Sequence, residues 1–298
     1  MNSEKIKTTI KASYGAIAQK QSDSCCSEKA CCETDLVSPM SLDYKAVEGY
    51  EPEADLALGC GIPTEIAQIQ VGDTVVDLGS GAGNDVFIAR SIVGETGRVI
   101  GIDMTPEMIQ LAHKNQAKLG YQNVEFLQEE IENMQSLADE TADVVISNCV
   151  MNLVPNKEKA FQEIFRVLKM GGHFSISDIV YTGSLPPKFL EIAEMYVGCV
   201  AGATEKGKYL GIVKEAGFKN IQSKKERVIN IPDEVLATYL SPEEQAQVKT
   251  ASFQVLSITL YADKVAEGAC CESDGGSCCG SEVAPVLQIE TTGEGGCC

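Results

Sequence analysis

The spacing of apolar positions predicts that the chain begins with a helix and then alternates strands and helices. An apolar stripe at steps of three and four residues predicts an amphipathic helix over residues 4–20. The stripe consists of Ile6, Ile10, Tyr14 and Ile17. Short apolar runs predict strands at Thr74–Leu78, Arg98–Ile102, Asn123–Leu127, Ala142–Ser147 and His173–Val180. Between them we predict helices at Val86–Ile92, Pro106–Leu119 and Lys157–Lys169, the last ended by Gly171-Gly172. This order is typical of an α/β fold whose parallel sheet carries helices on both faces.

The pattern changes after Pro186-Pro187, where helices are followed by strands and a smaller C-terminal α+β domain is predicted. The predicted elements are helices at Lys188–Val197 and Glu205–Ala216 and strands near Lys219–Val228 and Phe253–Tyr261. The chain therefore divides into predicted segments at 1–45, 46–183, 184–265 and 266–298. The last segment holds seven glycines and six cysteines in 33 positions, a composition typical of a disordered tail.

Composition and charge exclude several classes of protein. The 298 residues carry a formal net charge of −19, which argues against a general nucleic-acid binder and against docking on anionic lipid. No apolar run approaches the ~20 residues that a membrane-spanning helix needs. The N-terminal residues contain no apolar signal core, so secretion is not expected. We therefore expect a cytoplasmic protein without nucleic-acid or membrane partners.

The strongest local motif is the run Val75–Gly83, where a predicted strand turns into a helix. Glycines there let the backbone approach a ligand where a Cβ would collide. Asp103, at the end of the next strand, can accept both hydroxyls of a ribose. The dinucleotide fingerprint needs a further glycine, but its possible positions hold Asn84 and Val86, so a pyrophosphate-binding helix is not expected. The candidate binding residues in the run are Asp77, Gly79, Ser80, Gly81 and Gly83.

Cysteine is the unusual residue of this sequence. Ten of the 13 cysteines form five adjacent pairs, and Cys60, Cys149 and Cys199 stand alone. The odd number in an expected cytoplasmic protein favours thiols over a disulfide framework. Each single cysteine taken alone is equally well explained by apolar packing. Together with the pairs, however, they indicate a thiophilic substrate, because thiolates chelate soft ions.

Beyond these patterns, the chain resembles a known family. The glycine run resembles motif I of the class I S-adenosylmethionine-dependent methyltransferases. Three more segments resemble the arsenite S-adenosylmethionine methyltransferases specifically: Leu58-Gly59-Cys60-Gly61, Ser147-Asn148-Cys149-Val150 with Asn152-Leu153, and Gly198-Cys199 with Gly202-Ala203. The likeness extends from about Tyr44 to Phe218. It implies a Rossmann-like methyltransferase domain over 46–183, a substrate domain over 184–265, and S-adenosylmethionine as the cofactor.

The resemblance also implies roles for single residues. Cys149 and Cys199 would bind trivalent arsenic, and Cys60 would join them during the cycle. A fourth family cysteine corresponds to Cys31 or Cys32, and because the two are adjacent, the resemblance does not distinguish them. Cys32 is our candidate for this role. Besides the glycine run and Asp103, the residues implied at the cofactor are Met104, Ile131, Glu132 and Asn148.

The resemblance further implies a reaction that needs no general base, because the lone pair of arsenic would attack the methyl group. That suits a chain whose only histidines are His113 and His173. Since methylation formally oxidises arsenic, a thiol reductant such as glutathione or thioredoxin is expected. Two alternatives stay open. Another small-molecule C- or O-methyltransferase would be indifferent to Cys149, and a non-catalytic metalloid-binding protein would hold arsenite without forming product.

Overall fold

The structure is a computed structural model that describes residues 3–22, 42–184, 202–230, 234, 237, 240–245 and 253–266. In chain order, the strands are β1 (Thr74–Leu78), β2 (Arg98–Asp103), β3 (Val124–Gln128), β4 (Ala142–Asn148), β5 (Leu168–Thr182), β6 (Thr204–Glu205), β7 (Lys219–Val228) and β8 (Gln254–Asp263). The α-helices are α1 (Ser3–Ser22), α2 (Asn84–Val93), α3 (Pro106–Leu119), α4 (Lys157–Val167) and α5 (Lys206–Glu215). Short 3-10 turns lie at Pro63–Glu65 and Met151–Leu153.

These strands form one sheet with the order β3-β2-β1-β4-β5-β8-β7, and β6 pairs with β5. Strands β3, β2, β1, β4 and β5 run parallel to one another, whereas β8 runs antiparallel to both β5 and β7. The predicted α/β fold with its parallel sheet is confirmed. The chain leaves β1 for β2 on one side and returns through β4 on the other, so a crevice opens at the carboxyl end of β1.

Helices cover both faces of the sheet, as the sequence predicts. One buried cluster joins side chains of α1, α2 and α3 to the sheet, including Ala18, Val86 and Met108. A second cluster on the other face includes Phe161 of α4 and Tyr209 of α5. Because both faces are packed, the central strands read as continuous apolar runs rather than as alternating ones.

Two predicted boundaries are wrong. Helix α4 ends at Val167 instead of Lys169, and Gly171-Gly172 lie inside β5 instead of ending the helix. The strand starts early because Leu168 pairs with Ala142, after which the β4–β5 register shifts. A Cβ on Gly172 would stand 2.8 Å from the carbonyl oxygen of Asp143, so this glycine permits a close approach of the two strands.

The later part of the chain agrees with the predicted elements where it is described. The predicted helix Glu205–Ala216 is α5, and the two predicted strands are β7 and β8. Both strands extend the central sheet from the free side of β5. The predicted helix Lys188–Val197 and almost all of the predicted tail lie outside the described residues, and the four-segment division of the chain stays a prediction. None of the helices in the described ranges is long and apolar enough to cross a membrane.

Candidate active site

A solvent-open cleft lies at the carboxyl ends of β1, β2 and β4, where the sheet topology predicts a ligand site. The space in and above it, including the part open to solvent, measures about 1120 Å³. Ten of the sequence-predicted residues line it: Asp77, Gly79, Ser80, Gly81, Asp103, Met104, Ile131, Glu132, Asn148 and Cys149. The structure therefore brings together the glycine run, the ribose acid and one of the single cysteines.

The glycine run forms a tight loop between β1 and α2. Gly79, Gly81 and Gly83 have φ angles of +70°, +52° and +101°, a region that favours glycine. A Cβ on Gly79 would stand 2.4 Å from the Val150 side chain, so the loop lies directly against the residue that follows Cys149. Gly83 does not line the cleft. It is the residue before α2, and a Cβ there would meet the ring of Phe87 at 2.8 Å.

Asp103 is fixed by two backbone donors. Its carboxylate accepts hydrogen bonds from Thr105 N at 2.8 Å and from Gly81 N at 3.1 Å. The predicted ribose acid therefore also ties the glycine loop to the end of β2. Burial raises the pKa of Asp103 above its ordinary value, although both backbone donors act in the opposite direction.

Three carboxylates concentrate negative charge in the wall of the cleft: Asp77, Asp85 and Asp103. Asp85, in the first turn of α2, was missed by the sequence analysis, although an acid so soon after a glycine run is a local signal. Burial raises its pKa to about 6. Burial, followed by repulsion from Asp85 and Asp103, raises the pKa of Asp77. A cationic ligand would relieve this repulsion.

The cleft also contains buried polar atoms that lack a hydrogen-bond partner among the described residues. They are Ser80 Oγ, Asn84 Oδ1, Asp85 Oδ1 and Glu129 Oε2. Buried polar atoms are costly unless they are hydrogen-bonded. S-Adenosylmethionine carries ribose hydroxyls, an ammonium group and a sulfonium, so both the unpartnered oxygens and the acidic wall fit it.

Helix α1 forms one side of the cleft through Lys7, Ile10 and Tyr14. Lys7 Nζ lies 2.8 Å from a carboxylate oxygen of Glu130 and 2.5 Å from one of Glu132. Glu132 also accepts a hydrogen bond from Asn156 N at 3.0 Å. The predicted cofactor residue Glu132 thus holds α1 over the cleft, a contact that no sequence pattern indicated.

Two of the single cysteines are buried near the same edge of the sheet. Cys149 follows the last residue of β4, has a φ of +64°, and donates its backbone N–H to Ser177 O at 2.7 Å. It is 3% exposed and lines the cleft. Cys60 is 1% exposed and lies in the loop before Pro63–Glu65; it does not line the cleft, but its neighbour Gly59 does. Its backbone N–H donates to Asn148 Oδ1 at 3.0 Å.

A further buried acid beside the Cys149 segment was also missed. Asp178 follows Ser177 on β5 and accepts hydrogen bonds from Ile179 N at 2.9 Å and from Tyr209 OH at 3.2 Å. It is fully buried, and burial raises its pKa to about 7 against the opposing effect of the Ile179 N–H. No local pattern around Asp178 distinguishes it from an ordinary strand residue.

The remaining predicted cysteines, Cys199 and Cys32 with its neighbour Cys31, lie outside the described residues. Within the described ranges, no three His, Cys, Asp or Glu side chains are arranged to hold a metal ion. Gly202, three residues after Cys199 in the sequence, packs so closely on Asn152 that a Cβ would stand 1.7 Å from its carbonyl oxygen.

Comparison with known proteins agrees with this geometry. A family model described as a methyltransferase domain matches residues 69–217. An arsenite methyltransferase from Halobacterium salinarum is 41% identical over 230 residues, 74% of this chain and 59% of that protein. One from Aquipseudomonas alcaligenes is 30% identical over 251 residues, 82% of this chain and 70% of that protein. The crystal structure of an arsenic(III) S-adenosylmethionine methyltransferase from Chlamydomonas reinhardtii matches with 35% identity and a TM-score of 0.60, covering 70% of this chain and 68% of that one. The chain thus spans less than two thirds of the halobacterial relative.

Proposed function

We propose that this chain, which belongs to the arsenite methyltransferase family, transfers the methyl group of S-adenosylmethionine to trivalent arsenic and so detoxifies it. One observation carries the proposal: Cys149 lines the same cleft as the glycine loop and Asp103. A thiol that binds arsenic there holds it next to the methyl donor. A methyltransferase for a carbon or oxygen acceptor has no need of a thiol at this position.

The cofactor would be held by the loop Gly79–Gly81, by Asp103 at the ribose, and by Met104 and Ile131 at the adenine. Asp77 and Asp85 would face its positive groups. When bound, S-adenosylmethionine supplies an electrophilic methyl group on a sulfonium. Its charge would be matched by the carboxylates, whose pKa values are raised first by burial and, at Asp77, also by repulsion from Asp85 and Asp103.

The substrate would be bound by the thiolates of Cys149, Cys60 and Cys199. Trivalent arsenic is soft and thiophilic, and it keeps a lone pair when it is bound by sulfur. Gly202, three residues after Cys199 in the sequence, packs against Asn152, three residues after Cys149. Cys32 would act earlier or later in the cycle.

The chain's own work in this reaction is to position the reactants and to exclude water. Holding thiol-bound arsenic with its lone pair toward the methyl group makes the attack effectively unimolecular. Arsenic carries no proton that must be removed, so no general base takes part. The attack formally oxidises arsenic by two electrons. Two cysteine thiols can return these electrons by forming a disulfide, which an external thiol of the glutathione or thioredoxin class then reduces. The cytoplasm, where thiols are kept reduced, suits this cycle.

The test is an anaerobic assay with arsenite, labelled S-adenosylmethionine and excess thiol, in which arsenic species are separated and identified by mass spectrometry. The wild-type protein is expected to form methylarsenicals. Cys149→Ser is expected to lower the rate at least 100-fold while cofactor binding stays within twofold. A Cys270→Ser variant, which removes one thiol from the tail, serves as the control and should keep the wild-type rate.

Two other outcomes have defined meanings. Methyl transfer to a carbon or oxygen acceptor with no methylarsenical would show a different methyltransferase. Tight arsenite binding without any product, with the cofactor bound, would show a metalloid-binding protein that has lost its chemistry. Wild-type turnover in Cys149→Ser would remove the role assigned to this thiol.

A further inference from the structure

The side chain of Asn148 is bonded to the loop that contains Cys60. Its Oδ1 accepts hydrogen bonds from Cys60 N at 3.0 Å and from Gly61 N at 3.2 Å, and its Nδ2 donates to Gly61 O at 2.9 Å. The next residue in the chain is Cys149. The Asn148 side chain is therefore hydrogen-bonded to the backbone of Cys60, 88 positions earlier in the sequence, while Asn148 itself directly precedes Cys149.

The loop around Cys60 is shaped to fit this amide. A Cβ on Gly59 would stand 2.5 Å from Asn148 Nδ2, and a Cβ on Gly61 would stand 2.3 Å from Ser177 Oγ. Glycine on both sides of Cys60 therefore allows the contact. Cys60 O accepts a hydrogen bond from Ser257 Oγ at 2.8 Å, so the backbone of the cysteine is held at both of its polar groups.

The same amide reaches the cofactor side of the cleft. Asn148 Nδ2 lies 2.6 Å from Tyr44 OH and 3.0 Å from Asp85 Oδ2, and Tyr44 OH donates to Gly61 O at 2.7 Å. Only an amide combines an acceptor for two backbone N–H groups with donors for a carbonyl and a carboxylate. Aspartate would lack the donors and alanine would lack both.

We propose that Asn148 is a positioning residue that holds Cys60 and Cys149 as a preformed pair of thiols for one arsenic atom. The inference rests on the proposed function, which it extends to a residue that needs no contact with arsenic. Binding one arsenic atom through two thiols gains more affinity when the backbones that carry them are already held in place, because less conformational freedom is lost on binding. The Asn148 amide fixes the backbone of Cys60 next to the Cys149 segment. Its contact with Asp85 connects the two cysteines to the first turn of α2, directly after the glycine loop.

The test compares Asn148→Ala with Cys60→Ser and with the double variant, all in the full-length protein. Asn148→Ala is expected to raise the KM for arsenite at least tenfold. If Asn148 acts through Cys60, the double variant is no worse than Cys60→Ser, because the amide has lost the residue that it positions.

Ser147→Ala is the matched control. Ser147 precedes Asn148 on β4, is fully buried, and donates a side-chain hydrogen bond to Leu78 O at 3.0 Å, away from Cys60. It should lose stability without a change in the KM for arsenite. An unchanged KM in Asn148→Ala, or a double variant whose losses multiply, would overturn the inference.

Failure of the proposed function would be recognised separately, since the wild-type protein would then form no methylarsenical. In that case the arsenite dissociation constants of the same variants, measured by equilibrium dialysis, decide the role of Asn148. Equal constants for the wild type and Asn148→Ala would overturn it. A constant raised in Asn148→Ala to the value of Cys60→Ser would support it.

Discussion

Replacing Asp85 by asparagine should stabilise the ligand-free protein and weaken its hold on the cofactor. The carboxylate is 7% exposed, and burial raises its pKa to about 6 from an ordinary value of 3.8. The side-chain oxygen of an asparagine can still accept the hydrogen bond that Asn148 Nδ2 gives to Asp85 Oδ2. The substitution therefore removes the charge and keeps most of the geometry.

The size of the effect follows from the shift in the pKa of Asp85. At about 1.4 kcal/mol per unit, a rise of roughly two units means that the ionised carboxylate costs the folded protein about 3 kcal/mol. Because the folded pKa is the higher one, this cost is full above pH ~6 and disappears as the pH falls below ~4. With about 2–4 °C per kcal/mol for a chain of this size, Asp85→Asn should raise the melting temperature by about 6–12 °C at pH 7.5.

Cofactor binding should become weaker in Asp85→Asn, because the positively charged cofactor is attracted to the buried carboxylate that the variant lacks. We expect the S-adenosylmethionine dissociation constant of Asp85→Asn to rise about tenfold at pH 7.5. In the wild type it should rise as the pH falls through ~6, and in the variant this step should be absent. Calorimetric titration at a series of pH values, together with thermal unfolding without ligand, measures both effects.

Asp73→Asn is the control for charge alone. Asp73 is half-buried, accepts a hydrogen bond from Gln70 N that an asparagine oxygen can also accept, and lies before the first residue of β1, at the end of the strand opposite the cleft. In Asp73→Asn, neither the melting temperature nor the S-adenosylmethionine dissociation constant should change by the amounts expected for Asp85→Asn. If Asp85→Asn melted no higher than the wild type and bound the cofactor equally well, the electrostatic reasoning would be refuted.

Two other substitutions test the walls of the cleft. Lys7→Gln removes the ion pairs with Glu130 and Glu132 that hold α1. The cofactor should therefore dissociate about five times faster in stopped-flow experiments, and the salt dependence of that rate should shrink. An unchanged rate would show that α1 does not retain the cofactor. Gly79→Ala places a side chain at a φ of +70° against Val150, so it should lower the free energy of unfolding by about 3 kcal/mol in urea titrations. Adding Val150→Ala should restore part of this loss. Wild-type stability in Gly79→Ala would contradict the proposed collision.

The sequence predicts well what local patterns encode. The five parallel strands follow from apolar runs and the helices between them from periodicity, because each signal lies within the element itself. The position of β8 between β5 and β7 has no such signal, since it depends on which sheet edge is left unpaired when the late strands form. Gly171-Gly172 were misinterpreted for a similar reason. Gly172 permits the close approach of Asp143 on a neighbouring strand, and Gly171 has a φ of +84° within β5, so neither glycine ends the preceding helix.

The same distinction applies to the site. The glycine loop and Cys149 stand next to strand ends and can be found from neighbouring residues alone. Lys7 acquires its role from a carboxylate 123 positions later, and Tyr44 from an amide 104 positions later. Neither pairing leaves a pattern within a window of sequence, and only the folded sheet brings the partners together. Asp85 lies between these two cases. Its place directly after the glycine run suggests a role at the cofactor, but its burial is known only from the fold.

The closing of the cleft by α1 has a consequence for synthesis of the chain. Helix α1 is made before the sheet on which it packs, and Glu130 is made 123 residues after Lys7. At about 5–20 residues per second, the helix waits roughly 6–25 seconds for its partners. A helix in a protein gains most of its stability from the packing of its apolar face, so the stripe of α1 is exposed to chaperones and proteases throughout that interval. Helix α1 is thus made well before the carboxylates on which it docks, and premature release of the nascent chain would produce a sheet whose cleft stays open.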